Sequence, residues 1–406
     1  MRRGGSARNA NTPLMAPPLA PSRDLLQDVI ALRRDLHAFP ELGFEEYRTA
    51  GIAAQRLRAL GYEVHEQIAT TGVVGVLRGE QPGKTIMLRA DMDALPLQEE
   101  AEHGYRSRIA GRMHACGHDG HVAILLGAAA LIAERRDALR GTVVLCFQPA
   151  EEGKGGARAM VEEGLIERFG VERAYGLHLF SQLPTGVIGL REGEFYASSD
   201  SIEVTIHGRG GHGAAPHLSV DPILVAAQFV TSVQQVVSRE IDPVEPAVIT
   251  IGAVAGGTTH NVIPSRVELL GTVRAFNPDV RAKMSERIER VLRGVCEGAG
   301  ARYDFAYLWR YPVTSNDSEQ TAYVWALAER EFGSKRVIRS ERHMGAEDFA
   351  FFAQKVPACF ALVGSCADER TGFPHHHERF DIDETALETG VRLLTAIALD
   401  APTQAP

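Results

Sequence analysis

Short apolar runs alternate with stretches of helical periodicity through the first half of the chain, and this alternation restricts the fold more than any other feature. Residues 73–77, 85–89, 142–147 and 174–177 are short, apolar and rich in β-formers, so they read as strands. Residues 25–36, 45–60 and 122–133 repeat apolar side chains at helical spacing, and Gly61 is placed to stop the second of these helices. Strands that alternate with helices imply an α/β fold with a mostly parallel sheet. Ligand sites in such sheets gather beyond the carboxyl ends of the strands. The predicted ends carry Asp91 and Asp93, Glu151 and Glu152, and His178.

From about residue 199 the rhythm changes. Strand 201–207, helix 221–239, strands 247–254 and 267–276, helix 278–297 and strand 302–308 follow the β-α-β-β-α-β order of a ferredoxin-like unit. The chain of 406 residues exceeds what one core ordinarily supports. We therefore expect a discontinuous catalytic domain over 24–193 and 307–400, with an inserted α+β lid and dimerisation domain over 194–306. Residues 1–23, with Arg2, Arg3 and a Pro/Ala stretch, read as a disordered leader without the apolar region of a secretory signal.

A net charge of −9 with no compensating basic stripe argues against nucleic acid as a partner. No run of about 18 apolar residues occurs, so no membrane partner is expected. The five cysteines, Cys116, Cys146, Cys296, Cys359 and Cys366, are odd in number and scattered, which fits a reducing, cytoplasmic setting better than a disulfide framework.

The densest chemistry lies in Met113-His114-Ala115-Cys116-Gly117-His118-Asp119-Gly120-His121, read as a loop leading into the helix at Val122. Cys and His two positions apart can reach one metal, since thiolate and imidazole bind at about 2.0–2.3 Å. The same spacing also suits a buried cysteine beside a helix cap. Phe147-Gln148-Pro149-Ala150-Glu151-Glu152-Gly153 ends a strand in two carboxylates, which can divide metal binding from proton transfer. His178 closes another predicted strand, and His375-His376-His377 lie near the far end of the chain. Together these donors have the composition of a metal site assembled by a fold.

In these segments the sequence resembles the aminoacylase/carboxypeptidase metallopeptidases, in the amidohydrolase branch with hippurate hydrolases and indole-acetyl-amino-acid hydrolases. The resemblance runs over about 24–400. It is carried also by His37-Ala38-Phe39-Pro40-Glu41-Leu42-Gly43, Arg89 to Pro96, Gly208 to His217, Asn261-Val262-Ile263-Pro264 and Met344 to Phe349. It implies two divalent cations per subunit, Mn2+ or Zn2+ foremost and Co2+ or Ni2+ as further options. Cys116 would bridge them, with His118, Glu152, His178 and His376 completing the ligands. His376 is reached by counting back from Phe380-Asp381, because His375 and Glu378 stand where the family carries leucine and proline.

Further implied roles are Glu151 as general base and acid, His212 as a catalytic residue reaching across a dimer to the partner's site to stabilise the oxyanion, and Asn261 and Arg274 as substrate-binding residues. Asp91 and Asp93 would orient the ligand imidazoles. The expected reaction is hydrolysis of N-acyl amino acids, hippurate among them, by a water held between the two ions. A dipeptidase or carboxypeptidase would share that chemistry, and an inactive metal-binding carrier is the reading from outside enzymes.

Overall fold

The computed structural model describes residues 19–401, so most of the expected leader lies outside the described residues. Eight strands form the larger sheet: β1 (Glu63–Ile68), β2 (Gly72–Arg78), β3 (Gln81–Asp91), β4 (Arg140–Gln148), β5 (Arg173–Pro184), β6 (Ile188–Leu190), β15 (Val337–Arg339) and β16 (Ala358–Cys366). Their order is β1-β2-β4-β3-β5-β16-β6-β15. The four central strands run parallel to one another, and the antiparallel pairings lie toward the sides.

Both faces of this sheet are covered, as parallel strands require. Ile86 and Leu88, Val143 and Leu145 turn toward a core shared with helices Arg23–Ala38, Tyr47–Ala59, His118–Ala133, Ser318–Phe332 and Ala386–Asp400. Their neighbours Met87, Val144 and Cys146 face the opposite core, with helices Gly156–Glu162 and Leu165–Phe169. Helix His118–Ala133 is buried around almost its whole circumference, so it shows no amphipathic stripe. Its first turn is anchored by Asp119, whose Oδ2 lies 2.9 Å from Arg33 Nε and 2.7 Å from His37 Nδ1, all three side chains fully buried.

Between the two stretches that build this sheet, β8 (Ser199–His207), β10 (Ala247–Ala255), β12 (Arg266–Ala275) and β13 (Arg302–Tyr311) form an antiparallel sheet in the order β10-β12-β8-β13. That is the ferredoxin-like arrangement. Helices Pro222–Ser232, Gln234–Glu240 and Pro278–Ala299 cover one face over a separate core of Val225, Phe229, Met284 and Ile288. Two ribbons complete the topology: β9 (Gly211–His212) with β11 (Val262–Ile263), and β7 (Gly193–Tyr196) with β14 (Thr314–Asn316).

Three expectations need correction. His178 does not close its strand, because β5 continues to Pro184 and His178 pairs with Leu362 of β16. It still lies toward the end of the sheet where β3 stops. The β3–β5 pairing stops at Arg89 opposite Gly176, so His178 lies level with the end of β3. The helix expected to start at Val122 starts at His118, which places His118 and His121 on the helix itself. The single helix expected over 221–239 is broken at Val233. Thr231 Oγ1 bonds back to the carbonyls of Ala227 and Gln228, a local bond that bends helices.

Candidate functional site

At the carboxyl ends of β3, β4 and β5 a cavity of about 600 Å³ is lined by Cys116, Glu151, Glu152, His178 and His376, together with Glu347, Phe180, Tyr196, Arg274 and Tyr311. Cys116 belongs to two groups of donors. Cys116, His118 and His178 have ligand atoms within 4.8 Å of one another, and so do Cys116, Glu152 and His376. A thiolate common to two such groups has the placement of a bridge.

Local backbone explains how these side chains converge. Gly117, between Cys116 and His118, is left-handed at φ +88°, a conformation that disfavours any side chain. The turn it makes aims the thiol and the first helical imidazole at the same space. On the facing loop, Ala150 is also left-handed at φ +54°. It is held by Glu46, whose Oε1 accepts the Ala150 N–H at 2.8 Å while Oε2 accepts the Thr71 hydroxyl at 2.5 Å. The next two amides hang on one carboxylate, since Asp93 Oδ1 accepts the Glu151 N–H at 3.0 Å and Oδ2 the Glu152 N–H at 2.9 Å. Two buried acids thus position the pair of cavity carboxylates.

Hydrogen bonds also assign the imidazoles. His178 Nδ1 donates to the Leu179 carbonyl at 2.7 Å, which leaves Nε2 bare, 3.5 Å from Cys116 Sγ. His118 Nδ1 lies 2.9 Å from the Asp93 carbonyl and 3.2 Å from its Oδ1, leaving its Nε2 facing the cluster. His121 Nε2 accepts the Leu179 N–H at 2.9 Å, so its proton sits on Nδ1 and is given to Asp91 Oδ1 at 2.6 Å. Among the adjacent histidines, His375 spends Nε2 on the Leu179 carbonyl at 2.9 Å. His376 instead puts Nε2 at 3.1 Å from Glu152 Oε1, in a left-handed backbone at φ +67°.

The electrostatics suit bound cations. Burial, then the charges of Glu152, Glu151 and Asp91, push the Cys116 thiol far up. Burial and the nearby Glu347, Glu152 and Asp348 carboxylates raise Glu151 well above the ordinary carboxylate range. Burial lowers the His118 imidazole, but Asp91 and Asp93 outweigh it and bring it to about 10. Glu152 Oε1 is buried without a hydrogen-bond partner of proper geometry despite its short contact with His376. The bare Nε2 of His178, a crowded thiol, an unsatisfied carboxylate oxygen and the surplus of negative charge that holds a proton on His118 fit a pair of divalent ions.

Arg274 lines the same cavity. His212 and Asn261 do not. They sit together on the exposed β9/β11 ribbon, where the Asn261 carbonyl accepts the Gly213 N–H at 2.8 Å. Several contributors escaped the sequence reading. Glu46, Tyr196 and Tyr311 gave no signal there, and His121 and Glu347 lay inside quoted motifs without an assigned role. Tyr311 donates to the Glu151 carbonyl at 2.6 Å and accepts the Gly155 N–H at 2.8 Å, which ties the last strand of the inserted sheet to the carboxylate loop. Glu347 and Asp348 pair with the fully buried Arg89 at 2.9 and 3.0 Å.

A fold of this kind with such a donor cluster defines a metallohydrolase, and comparison with known proteins agrees. The model of peptidase family M20/M25/M40 matches residues 87–400, and the chain belongs to this family of hydrolases acting on amide bonds. It is 40% identical over 374 residues to thermostable carboxypeptidase 1 of Saccharolobus solfataricus, covering 91% of this chain and 94% of that one. It is 38% identical over 372 residues to N-acetylcysteine deacetylase of Bacillus subtilis, covering 91% and 96%. A crystal structure from Bacillus subtilis, described as a dinuclear metal-binding peptidase of family M20, superposes with a TM-score of 0.82 at 34% identity, covering 95% of this chain and 100% of that one.

Proposed function

We propose that the chain is a two-metal amidohydrolase that cleaves N-acyl amino acids, hippurate-like compounds among them. The observation that carries this reading is the shared position of Cys116 in two donor groups, beside a buried Glu151 in a cavity that also holds Arg274. His118 and His178 would hold one ion with Cys116, and Glu152 and His376 the other. Bound there, the ions supply Lewis acidity and a water of lowered pKa. Manganese or zinc suits these ligands best, with cobalt or nickel also compatible.

Glu151 takes the proton of the attacking water and returns it to the leaving nitrogen. Its raised affinity for a proton suits both halves of that task. Arg274 pairs its planar fork with the substrate carboxylate, whose position next to the scissile amide defines the substrate class. Asp93, on the Nδ1 side of His118, keeps that imidazole in the ligating tautomer, while Asp91 holds the neighbouring His121.

His212 and Asn261 act on the site of a second copy in a homodimer formed through the inserted unit, residues 194–306, which also serves as a lid over the divided catalytic domain, 24–193 and 307–400. Support comes from the open outer edge of β10 and from exposed Leu218, Leu224, Val254, Val262 and Leu270, all on this unit. The five unpaired cysteines favour a cytoplasmic setting. Among the described residues no helix is long and apolar enough to cross a membrane.

The test is amine release from a panel of N-acyl amino acids by metal-loaded protein and by Glu151→Gln. We expect metal-dependent release that falls by at least about 10²-fold in the variant while both ions stay bound. Near wild-type kcat in Glu151→Gln would refute the role of this residue. The similarity to a thermostable carboxypeptidase supports peptide cleavage as the second reading. Turnover of C-terminally free dipeptides alone would select it.

A further inference from the structure

Tyr196 presents a feature that the proposed chemistry has not yet used. It ends β7 and is buried, 8% exposed, on the wall of the cavity that holds Cys116, Glu151 and Glu347. Its ring is fixed from several sides. The Tyr196 backbone bridges to His343, and the following Ala197 N–H reaches the carbonyls of His343 and Gly345, both at 3.0 Å. The ring centroid lies 5.2 Å from that of His343, 5.1 Å from Phe195 and 6.1 Å from Phe360.

The ring is therefore well seated, yet its hydroxyl makes no hydrogen bond among the described residues. Other buried tyrosines differ. Tyr62 donates to the Ala129 carbonyl at 3.0 Å, Tyr175 to Gln320 at 2.6 Å and Tyr311 to the Glu151 carbonyl at 2.6 Å. Among the described residues the hydroxyl is not one of the fully enclosed polar atoms that lack a partner, so it opens onto the cavity, where a substrate oxygen can accept from it. Ionisation of this phenol is opposed by burial, then by the charges of Glu347, Cys116 and Glu151. It is thus a neutral donor whose electrostatic neighbours are the groups at the reacting end of the cavity.

We infer that the Tyr196 hydroxyl donates a hydrogen bond to the carbonyl oxygen of the scissile amide and holds it as the oxygen becomes negative. This inference rests on the amidohydrolase reading above and adds to it a catalytic residue from the same chain as the metal ligands. No proton is transferred. The donor strengthens its bond as charge develops on the acceptor, which is where a preorganised donor accelerates acyl transfer. The substrate carboxylate, charged throughout, is left to Arg274, so the two donors are expected to separate kinetically: Tyr196 acts on turnover and Arg274 on binding.

The experiment is Tyr196→Phe in the metal-loaded full chain, with kcat and KM measured on whichever N-acyl amino acid the native protein cleaves fastest. Melting temperature and bound metal are recorded alongside, and Phe preserves the ring packing. We expect kcat to fall by about 10²-fold, the usual effect of losing one oxyanion donor, with KM, melting temperature and metal content unchanged. An unchanged kcat, or an effect confined to KM, would overturn the inference. If the native protein releases amine from no N-acyl amino acid, the functional reading fails first and the inference falls with it. Activity in the native protein with no loss in the variant removes the inference alone.

Discussion

Asp93→Asn isolates how the fold positions its two cavity carboxylates. Asp93 is 1% exposed, and its two oxygens accept the backbone N–H groups of Glu151 and Glu152, with His118 Nδ1 also within 3.2 Å of Oδ1. Asparagine keeps the shape but offers one oxygen and one NH₂. Placed at the Oδ1 position, that oxygen retains both the Glu151 amide and the His118 contact, so the Glu152 N–H faces a donor. One charge-assisted hydrogen bond is then lost outright and another becomes neutral. Bonds to charged groups contribute about 1.5–3 kcal/mol, and a buried donor left unsatisfied costs about 1–3 kcal/mol. The expected destabilisation is about 2–4 kcal/mol. Glu152 is the carboxylate set free, so one ion of the pair should be held less firmly than the other. A shift of about 1 Å in a catalytic group can lower turnover by about 10²-fold, and kcat should fall on that order. Urea unfolding with an unchanged m value measures the first effect, and metal titration with steady-state kinetics measures the second. A stability change under about 0.5 kcal/mol together with normal kcat would refute the cradle.

Glu46 carries a pH dependence of calculable sign. Burial, opposed by the Thr71 hydrogen bond and assisted by Asp93, raises its carboxyl from 4.5 to about 7. The folded chain therefore keeps a proton that the unfolded chain releases, so stability from this group is present below about pH 4.5 and lost as the pH rises to about 7. The full loss is about 3 kcal/mol at 1.36 kcal/mol per pH unit. Glu46→Gln lacks it, so the variant should gain on the native protein between pH 5 and 8 in urea unfolding. An equal difference at both pH values would contradict the assignment. At Gly390, a Cβ would stand 2.5 Å from Ile124 Cδ1 and 3.0 Å from its Cγ1 and Cγ2, inside a helix contact buried on both sides. Overpacking costs about 1–3 kcal/mol against a helix-propensity gain of about 1 kcal/mol. Gly390→Ala should thus lower the melting temperature, and a rise would show that the contact has slack.

Much of this protein is legible before folding is considered. The parallel core strands, the inserted antiparallel sheet and the helix stop at Gly61 follow from short-range pattern, because apolar periodicity reports which faces must be buried. The donors Cys116, His118, Glu151 and Glu152 were visible for a related reason: thiol, imidazole and carboxylate crowded into short segments are conspicuous in one dimension. Short-range signals do not contain distances between segments. Only the tertiary structure decided that His178 reaches the cluster from within a strand, because that depends on where β3 stops beside β5. It also separated His376 from His375, since the two differ in which remote group, Glu152 or the Leu179 carbonyl, lies within reach. Glu46, more than 100 residues from the loop that it holds, and Tyr196, whose distinguishing feature is an unpaired hydroxyl, have no local signature at all. Composition and periodicity thus determined the layers and the chemical inventory. The fold decided which of those groups face one another, because hydrogen-bond geometry, burial and charge act through space and are set by contacts that the order of residues does not display.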